Sequence, residues 1–399
     1  MLKLLGFLLD NGVTSIGADP RSVNHLWTVS HLEEDHVPLM ARMVDAGVSL
    51  DISHAHSAVF LPLISPMKHN LQLILAKSDE VVQIPESIRL VCCKNATELR
   101  QALDEKRVSP NEIIHNTPLL EWAFGWPEGI EILLEFGADP DYRFESLLYP
   151  GIEYHRSAVL LLQAGCRFSK YELNRTLYYD DTGERMQLLI KTLTTRRENL
   201  RRLAEASLPS TMIPKGKVLD GPECLEVYNC LLARNISPPT LDNLCMSSDG
   251  ATVYHGLERR ECAEALYNAG FHDTDTLDLK GHSPLSYLAD HYTITPNKLM
   301  KLIDWHISKG GDLSRKLPWT NESVGHGLAV KIIKCCLWLA YDLECHGLNH
   351  SDHAGAIKTI LQYLGRVGSA VFMPAIIPDG CSCPCSPGGC TAISAISLA

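Results

Sequence analysis

The residues with the plainest chemical potential stand near the C-terminus, in Asp379-Gly380-Cys381-Ser382-Cys383-Pro384-Cys385-Ser386-Pro387-Gly388-Gly389-Cys390. Four thiols within ten residues, among Gly and Pro that permit tight turns, could wrap one tetrahedral zinc, with Cys381, Cys383, Cys385 and Cys390 as its ligands. A closed set of four thiolates leaves no open position, so such a zinc would be structural. The spacing C-x-C-x-C-x4-C is not that of a common finger, because ligands two apart on an extended chain point the same way and make a cramped chelate. Cys345, His346, His350 and His353 are near enough in sequence to act as outside ligands. The competing reading is a loop of reduced cysteines.

Other candidates carry less. Arg196-Arg197-x-x-x-Arg201-Arg202 is a basic cluster, but no aromatic residues interleave with it. Glu198 and Glu205 lie at helical pairing distances from it, so a solvated helix face is expected rather than a surface for RNA or an acidic partner. His54 and His56, with His25, His31 and His36 before them, lack a carboxylate at metal spacing and read as loop histidines. The chain has no G-x-x-x-x-G-K-[ST] phosphate cradle and no G-x-S-x-G nucleophile elbow. Gly325-His326-Gly327 is too short for a dinucleotide fingerprint, and Cys92-Cys93 is not the C-x-x-C of a redox centre. No catalytic residue is predicted, and the chain is expected not to be an enzyme.

Composition bounds the rest. A chain of 399 residues allows two or three domains. With 45% hydrophobic and 21% charged residues it is globular rather than disordered. A net charge of −11 gives no general pull toward nucleic acid, so no direct contact with it is expected. No stretch approaches the ~20 apolar residues that cross a bilayer. The start, Met1 to Leu9, is apolar but short, is followed by Asp10-Asn11-Gly12, and has no small-residue cleavage site. Most of the fourteen cysteines sit singly in apolar surroundings (Cys166, Cys230, Cys245, Cys262, Cys335), as suits a reducing compartment. A soluble, intracellular protein of cytoplasm or nucleus is expected, with no membrane contact.

The elements that would position any site come from an internal repeat. An amphipathic helix, a tight turn with glycine or asparagine, and a polar segment recur along the chain. The clearest copy is Gly129-Ile130-Glu131-Ile132-Leu133-Leu134-Glu135-Phe136-Gly137-Ala138-Asp139-Pro140-Asp141. Further turns fall at Gly12, Gly47, Gly165, Asn235, Gly270 and Gly310, with gaps of 35 (12 to 47), 28 (137 to 165), 35 (235 to 270) and 40 (270 to 310) residues. A helix that must stop and reverse within two residues needs a left-handed position, which glycine takes without steric cost and asparagine with little. Ile130, Leu133, Leu134 and Gly137 fall on one helical face, and a unit of this size buries that face only by stacking on neighbours. Weaker second helices are read at Leu71–Ala76 and Leu99–Leu103, and a longer helix at Gly183–Ala206, whose buried stripe is Met186, Leu189, Ile190, Leu193, Leu200 and Leu203.

The openings of the units carry a specific resemblance. Asp278-x-x-Gly281-His282-Ser283-Pro284-Leu285, Thr117-Pro118-Leu119 and Asp249-Gly250-Ala251-Thr252-Val253-Tyr254-His255 are similar to the Asp-x-x-Gly-x-Thr-Pro-Leu-His opening of ankyrin repeats. Thr or Ser as cap with Pro at the first helical position is sound helix-start chemistry. Leu120 and Ser286 stand where that family has His, and Trp122 and Leu288 where it has a small Ala, which should splay the stacking. Ser283 precedes Gly310 by 27 residues, which implies an insertion near Asp290 to Thr295. In total pattern the chain resembles degenerate ankyrin proteins of filamentous fungi, and the resemblance implies a structural role for the Cys-rich ending.

The expected fold is therefore all-α, an ankyrin-type α-solenoid of helix-turn-helix repeats with a helical C-terminal cap and a Cys-rich tail. Residues 1–206 form a degenerate repeat array ending in the long helix, 207–222 a Pro/Gly-rich linker, 223–320 a second repeat block, 321–377 the cap and 378–399 the tail. The chain begins inside the second helix of a repeat, so an upstream segment or a partner is expected to cover Leu4, Phe7 and Leu8. The expected function is a monomeric, non-catalytic scaffold or adaptor that binds another protein, with no cofactor beyond a structural zinc. Trp126, Tyr142 and Phe144 are the binding candidates, since interfaces favour aromatic anchors; Trp122 is expected in the core and Trp126, beside Pro127, exposed. The alternative is a nuclear transcription co-regulator with a structural zinc-binding tail.

Overall fold

A computed structural model of the chain describes residues 85–114, 117–140, 152–170, 173, 183–214, 218–241, 243–290, 296–318, 320, 322–332 and 334. Over these residues the protein is mostly helical. Strand pairing includes a hairpin of β1 (Ile113–Ile114) with β2 (Thr117–Pro118) and a bridge between Lys316 and Ser323. The chain divides into two units, the first ending at Arg167 and the second beginning at Phe168.

The first unit contains α1 (Glu86–Cys92), α2 (Ala96–Asp104), α3 (Leu119–Trp122), α4 (Pro127–Glu135) and α5 (Ile152–Ala164). The Asn95 side chain caps α2 by accepting the Glu98 amide at 3.2 Å, and Leu99, Ala102 and Leu103 form the buried stripe on its inner face. Helix α4 starts at Pro127, where the missing amide costs nothing. Thr117 and Pro118 were expected to cap and open a helix. They instead form β2, and α3 starts at Leu119, because Pro118 is extended (φ −66°, ψ 146°).

The second unit contains α6 (Glu184–Ser207), a 3-10 turn (Ser210–Met212), α7 (Gly221–Ala233), α8 (Arg260–Asn268), α9 (Pro284–Asp290), α10 (Pro296–Ser308) and a helical segment at 324–332. The long helix anticipated at 183–206 is α6, and Met186, Leu189, Ile190, Leu193 and Leu200 are buried along it while Leu203 is partly buried. It packs on α7 and α8, so it belongs with the elements that follow it. Within the segment read as a linker, Leu208, Val218, Leu219 and Asp220 are buried. Leu200, Ala204, Leu208, Leu219, Leu225, Val227, Leu231 and Leu244 share one core. That stretch is therefore packed chain, and the division of the molecule falls earlier, after Arg167.

Most of the helix ends share one closure, α3 and α6 excepted. Gly137, Gly165, Asn235, Gly270 and Gly310 all have φ between 59° and 107°. Each is followed by a residue whose amide reaches back five positions: Ala138 to Leu133, Cys166 to Leu161, Ile236 to Leu231, Phe271 to Leu266 and Gly311 to His306, at 2.8–3.2 Å. This is the Schellman closure, and it satisfies carbonyls that a helix end leaves open. Lys94 and Lys106 make the same closure after α1 and α2 without glycine. Helix α9 ends at Asp290 and α10 starts at Pro296, and residues 291–295, where an insertion was expected, lie outside those described.

Candidate functional site

Three loops of the second unit are held by their own carboxylates. The one at Asp278 precedes α9 and the one at Asp312 the helical segment at 324–332. The residues after Asp249 form a turn at 253–256 and not the helix opening expected at Thr252. In the middle loop the Asp278 carboxylate accepts the amides of Lys280 (2.9 Å) and His282 (2.8 Å). The Asp278 amide donates to the His282 carbonyl at 2.9 Å, and Gly281 takes φ 85° to complete the turn. In the preceding loop, the Asp249 carboxylate accepts from the Ser247 hydroxyl and, at 3.3 Å, from the Ala251 amide. In the following loop, Asp312 accepts the amide (2.9 Å) and hydroxyl (2.6 Å) of Ser314.

The loops are tied to one another. The Leu279 amide donates to the Asp249 carbonyl at 2.8 Å, and Lys280 Nζ pairs with Asp249 Oδ2 at 3.0 Å. Arg315 donates to the Asp275 carbonyl at 2.9 Å and pairs with its carboxylate at 2.7 Å. Burial works to raise the Asp249 carboxyl, but hydrogen bonds from Ser247, Lys280 and Ala251 outweigh it and hold the group well below the ordinary carboxylate range. The result is a row of turns joined by main-chain and ionic bonds. From its middle loop project Leu277, 39% exposed, and Leu279, 66% exposed, on either side of the buried Asp278. In the first unit Ile113, in the hairpin, is 69% exposed. There Asn111 plays the tying role, accepting the Asp139 amide at 2.6 Å and donating to the Gly137 carbonyl at 3.0 Å.

Behind the row the turn at Thr252 and the opening of α9 are joined through a histidine. His255 Nδ1 lies 3.0 Å from the Thr252 amide and 2.9 Å from its hydroxyl, so it accepts there. Nε2 then carries the proton and donates to the His282 carbonyl, 2.9 Å away and 27 residues later. Burial lowers the His255 pKa, which keeps the ring neutral for this pattern. At the opening of α9 Ser286 replaces the histidine. Its hydroxyl accepts the Ser283 amide at 2.8 Å while Ser283 Oγ accepts the Ser286 amide at 3.2 Å, a reciprocal cap. Ser323 repeats the cap on the His326 amide at 3.2 Å. That last opening was missed in the sequence, although Ser323 and His326 keep the spacing of Thr252 and His255.

The basic cluster on α6 is divided by the fold. Arg197 is 0% exposed, contrary to the solvated face expected for it. It occupies the inward position one turn after Leu193, where the apolar stripe of α6 is interrupted. Its guanidinium donates to the carbonyls of Leu244 (2.8 Å) and Leu219 (3.1 Å) and to Cys224 Sγ (2.8 Å), and lies 3.6 Å from Asp220 Oδ1. Asp220 Oδ2 accepts the Val253 amide at 3.0 Å. Lys170 Nζ donates to the carbonyls of Thr252 (2.8 Å) and His255 (3.3 Å), and burial lowers its pKa. Burial pushes the Cys224 thiol up, so it is a neutral partner here. Asp273 is raised to about 6, by burial first and then by Asp220 and Glu223. Arg201 does follow the expectation, pairing with Glu205 at 2.8 Å.

His306 gives the unit a pH dependence. The ring is fully buried, Nδ1 lies 3.2 Å from the Thr274 carbonyl, and burial lowers the pKa to about 4. Between pH 6.5 and 4 the unfolded chain binds a proton at this residue that the folded chain does not, so the stability it confers is present above 6.5 and lost as pH falls. Asp273 acts oppositely over part of that window, since its raised folded pKa favours folding as pH drops below 6. Comparing wild type with His306→Leu isolates the histidine. The difference in urea-unfolding free energy between them is expected to shift by on the order of 3 kcal/mol against wild type from pH 7 to pH 4.

The predicted site residues are distributed as follows. Trp122 is in the core, as expected, at 0% exposure. Trp126 is also buried, at 5%, which corrects its assignment as an exposed anchor. Its indole lies over Gly129, so close that a Cβ at 129 would meet the ring. Tyr142, Phe144, Cys381, Cys383, Cys385 and Cys390 lie outside the described residues. Among the described residues, no group of three or more His, Cys, Asp or Glu is placed to hold a metal, and no helix is long and apolar enough to cross a membrane. No protein-family model matches the chain, and no curated protein matches it.

Leu277 and Leu279 were missed in the sequence. Their signal was present: two leucines flank the aspartate of a D-x-x-G turn whose tip must face outward.

Proposed function

We propose that this chain is a non-catalytic, ankyrin-type solenoid scaffold that binds a protein partner through the loop row of its second unit. The observation that carries the proposal is the pair Leu277 and Leu279, exposed on a loop already fixed by Asp278, Asp249 and Arg315. Scattered exposed leucines are ordinary on soluble proteins. Two on one pre-formed loop are different, because little conformational entropy remains to be lost when a partner covers them. The solenoid part of the proposal is supported by the left-handed helix stops, the Thr252–His255 bridge to His282 and the loop-to-loop bonds, all at repeat spacing. The perturbed acids and histidines of the second unit bond the frame together, which favours a binding role over chemistry. Buried cysteine thiols such as Cys224 and Cys262 suit a reducing cell interior.

The test is affinity capture of the tagged, folded chain from extract of the cells that make it. Leu277→Ser/Leu279→Ser is run beside wild type. Both substitutions are at exposed positions and are expected to change stability by no more than about 0.5 kcal/mol. A stoichiometric protein captured by wild type and lost from the variant is the expected result. Equal capture by both chains, or nothing above background, would overturn the assignment.

A further inference from the structure

Helices α8 and α10 of the second unit bring together a group of side chains that the loop row does not use. Lys309 Nζ sits 3.7 Å from the centroid of the Tyr267 ring and 5.8 Å from that of Trp305. The two rings stand nearly perpendicular, at 85° with centroids 6.2 Å apart, and so form two walls of a box. Glu264 supplies a third wall, with Oε1 3.6 Å from Lys309 Nζ. An ammonium between two aromatic faces and a carboxylate is the arrangement that favours organic cations.

Two features separate this box from an ordinary surface cation–π pair. First, its walls are held without Lys309. The Trp305 indole N–H donates to Glu264 Oε2, Tyr254 lies against Trp305 with centroids 5.4 Å apart, and His272 lies against Tyr267 at 4.7 Å. The box therefore keeps its shape if the lysine leaves. Second, the ammonium is held by charge and ring faces alone, since its distance to Glu264 exceeds hydrogen-bond length. An occupant needs no N–H donor there, so methyl groups on the nitrogen forfeit nothing and, by weakening hydration, strengthen the attraction to the rings.

We propose that Glu264, Tyr267 and Trp305 form a cation cage for a methylated lysine side chain of a partner protein, with Lys309 as its built-in competitor. The resident is itself a lysine, so the cage already accommodates an alkylammonium head. Lys309 is tethered beside the cage, and its high effective concentration excludes weak cations. Only a ligand with a stronger hold on the rings displaces it.

The full chain tests this by calorimetric titration with N-acetyl-trimethyllysine methylamide, and with choline, which shares the head but lacks the stem. Lys309→Ala is expected to bind the trimethyllysine probe saturably and at least tenfold more tightly than wild type, and to bind choline more weakly than that probe. Lys309→Ala/Tyr267→Leu keeps apolar bulk while removing the ring face, and is expected to lose the gain. Lys309→Ala/Glu264→Gln is expected to weaken binding several-fold. No gain in Lys309→Ala would overturn the proposal, as would binding that survives Tyr267→Leu or choline binding equal to that of the lysine probe. None of these substitutions touches Leu277 or Leu279, so failure here leaves the loop-row assignment to its own test.

Discussion

Arg197→Leu is expected to destabilise the second unit by about 3–5 kcal/mol in urea unfolding of the full chain. The substitution leaves the buried Asp220 carboxylate without its countercharge and the Leu219 and Leu244 carbonyls without their donor. Unmet buried polar groups of this kind carry the full penalty of lost hydration. Asp220→Asn in the same background should recover part of the loss, because the amide oxygen still accepts the Val253 amide and the stranded charge is gone. Arg202→Ala on the exposed side of α6 should change stability by no more than about 0.5 kcal/mol. A loss below about 1 kcal/mol for Arg197→Leu would mean the node does not hold α6 to α7 and the loops that follow.

The second large effect belongs to Trp126. Trp126→Ala removes a buried indole from the first unit and should cost about 3–5 kcal/mol, as large aromatic truncations do. Gly129→Ala approaches the same contact from the other side. Its new methyl would meet the ring, and the strain of shifting it should cost about 1–3 kcal/mol. Thermal unfolding of both variants checks the pair. A Trp126→Ala chain with wild-type stability would return this residue to the list of binding anchors. On the present geometry it is a packing residue, and its loss would reduce partner capture only by unfolding the chain.

These two residues show where sequence patterns lead and where they stop. The stops at 137, 165, 235, 270 and 310 were legible because a helix reversing within two residues demands a left-handed position, and few residue types tolerate it. The extent of α6 was legible from its apolar stripe. Arg197 was not, because a charged side chain is normally taken as solvated. The gap it fills between Leu193 and Leu200 was nonetheless a sign that something inward-facing stands there. Trp126 next to a proline suggested an exposed loop, yet Gly129 three residues on leaves the bare helix surface against which a large ring can lie. The division between units was misplaced for a related reason. Pro and Gly at 209–222 suggested a linker, whereas Asp220 and Gly221-Pro222 form the start of α7 and Leu219 lies in the core. The leucines of the loop row carry a weaker signal by residue type, because interface anchors are more often aromatic residues or arginine.

The most direct test of the central claim is an amide hydrogen-exchange footprint of the captured complex against the free chain. If the loop row is the interface, added protection will concentrate in residues 247–250, 275–281 and 312–318, and will leave α4 and the Trp126 contact unchanged. Added protection elsewhere, with these loops exchanging as in the free chain, would contradict the account.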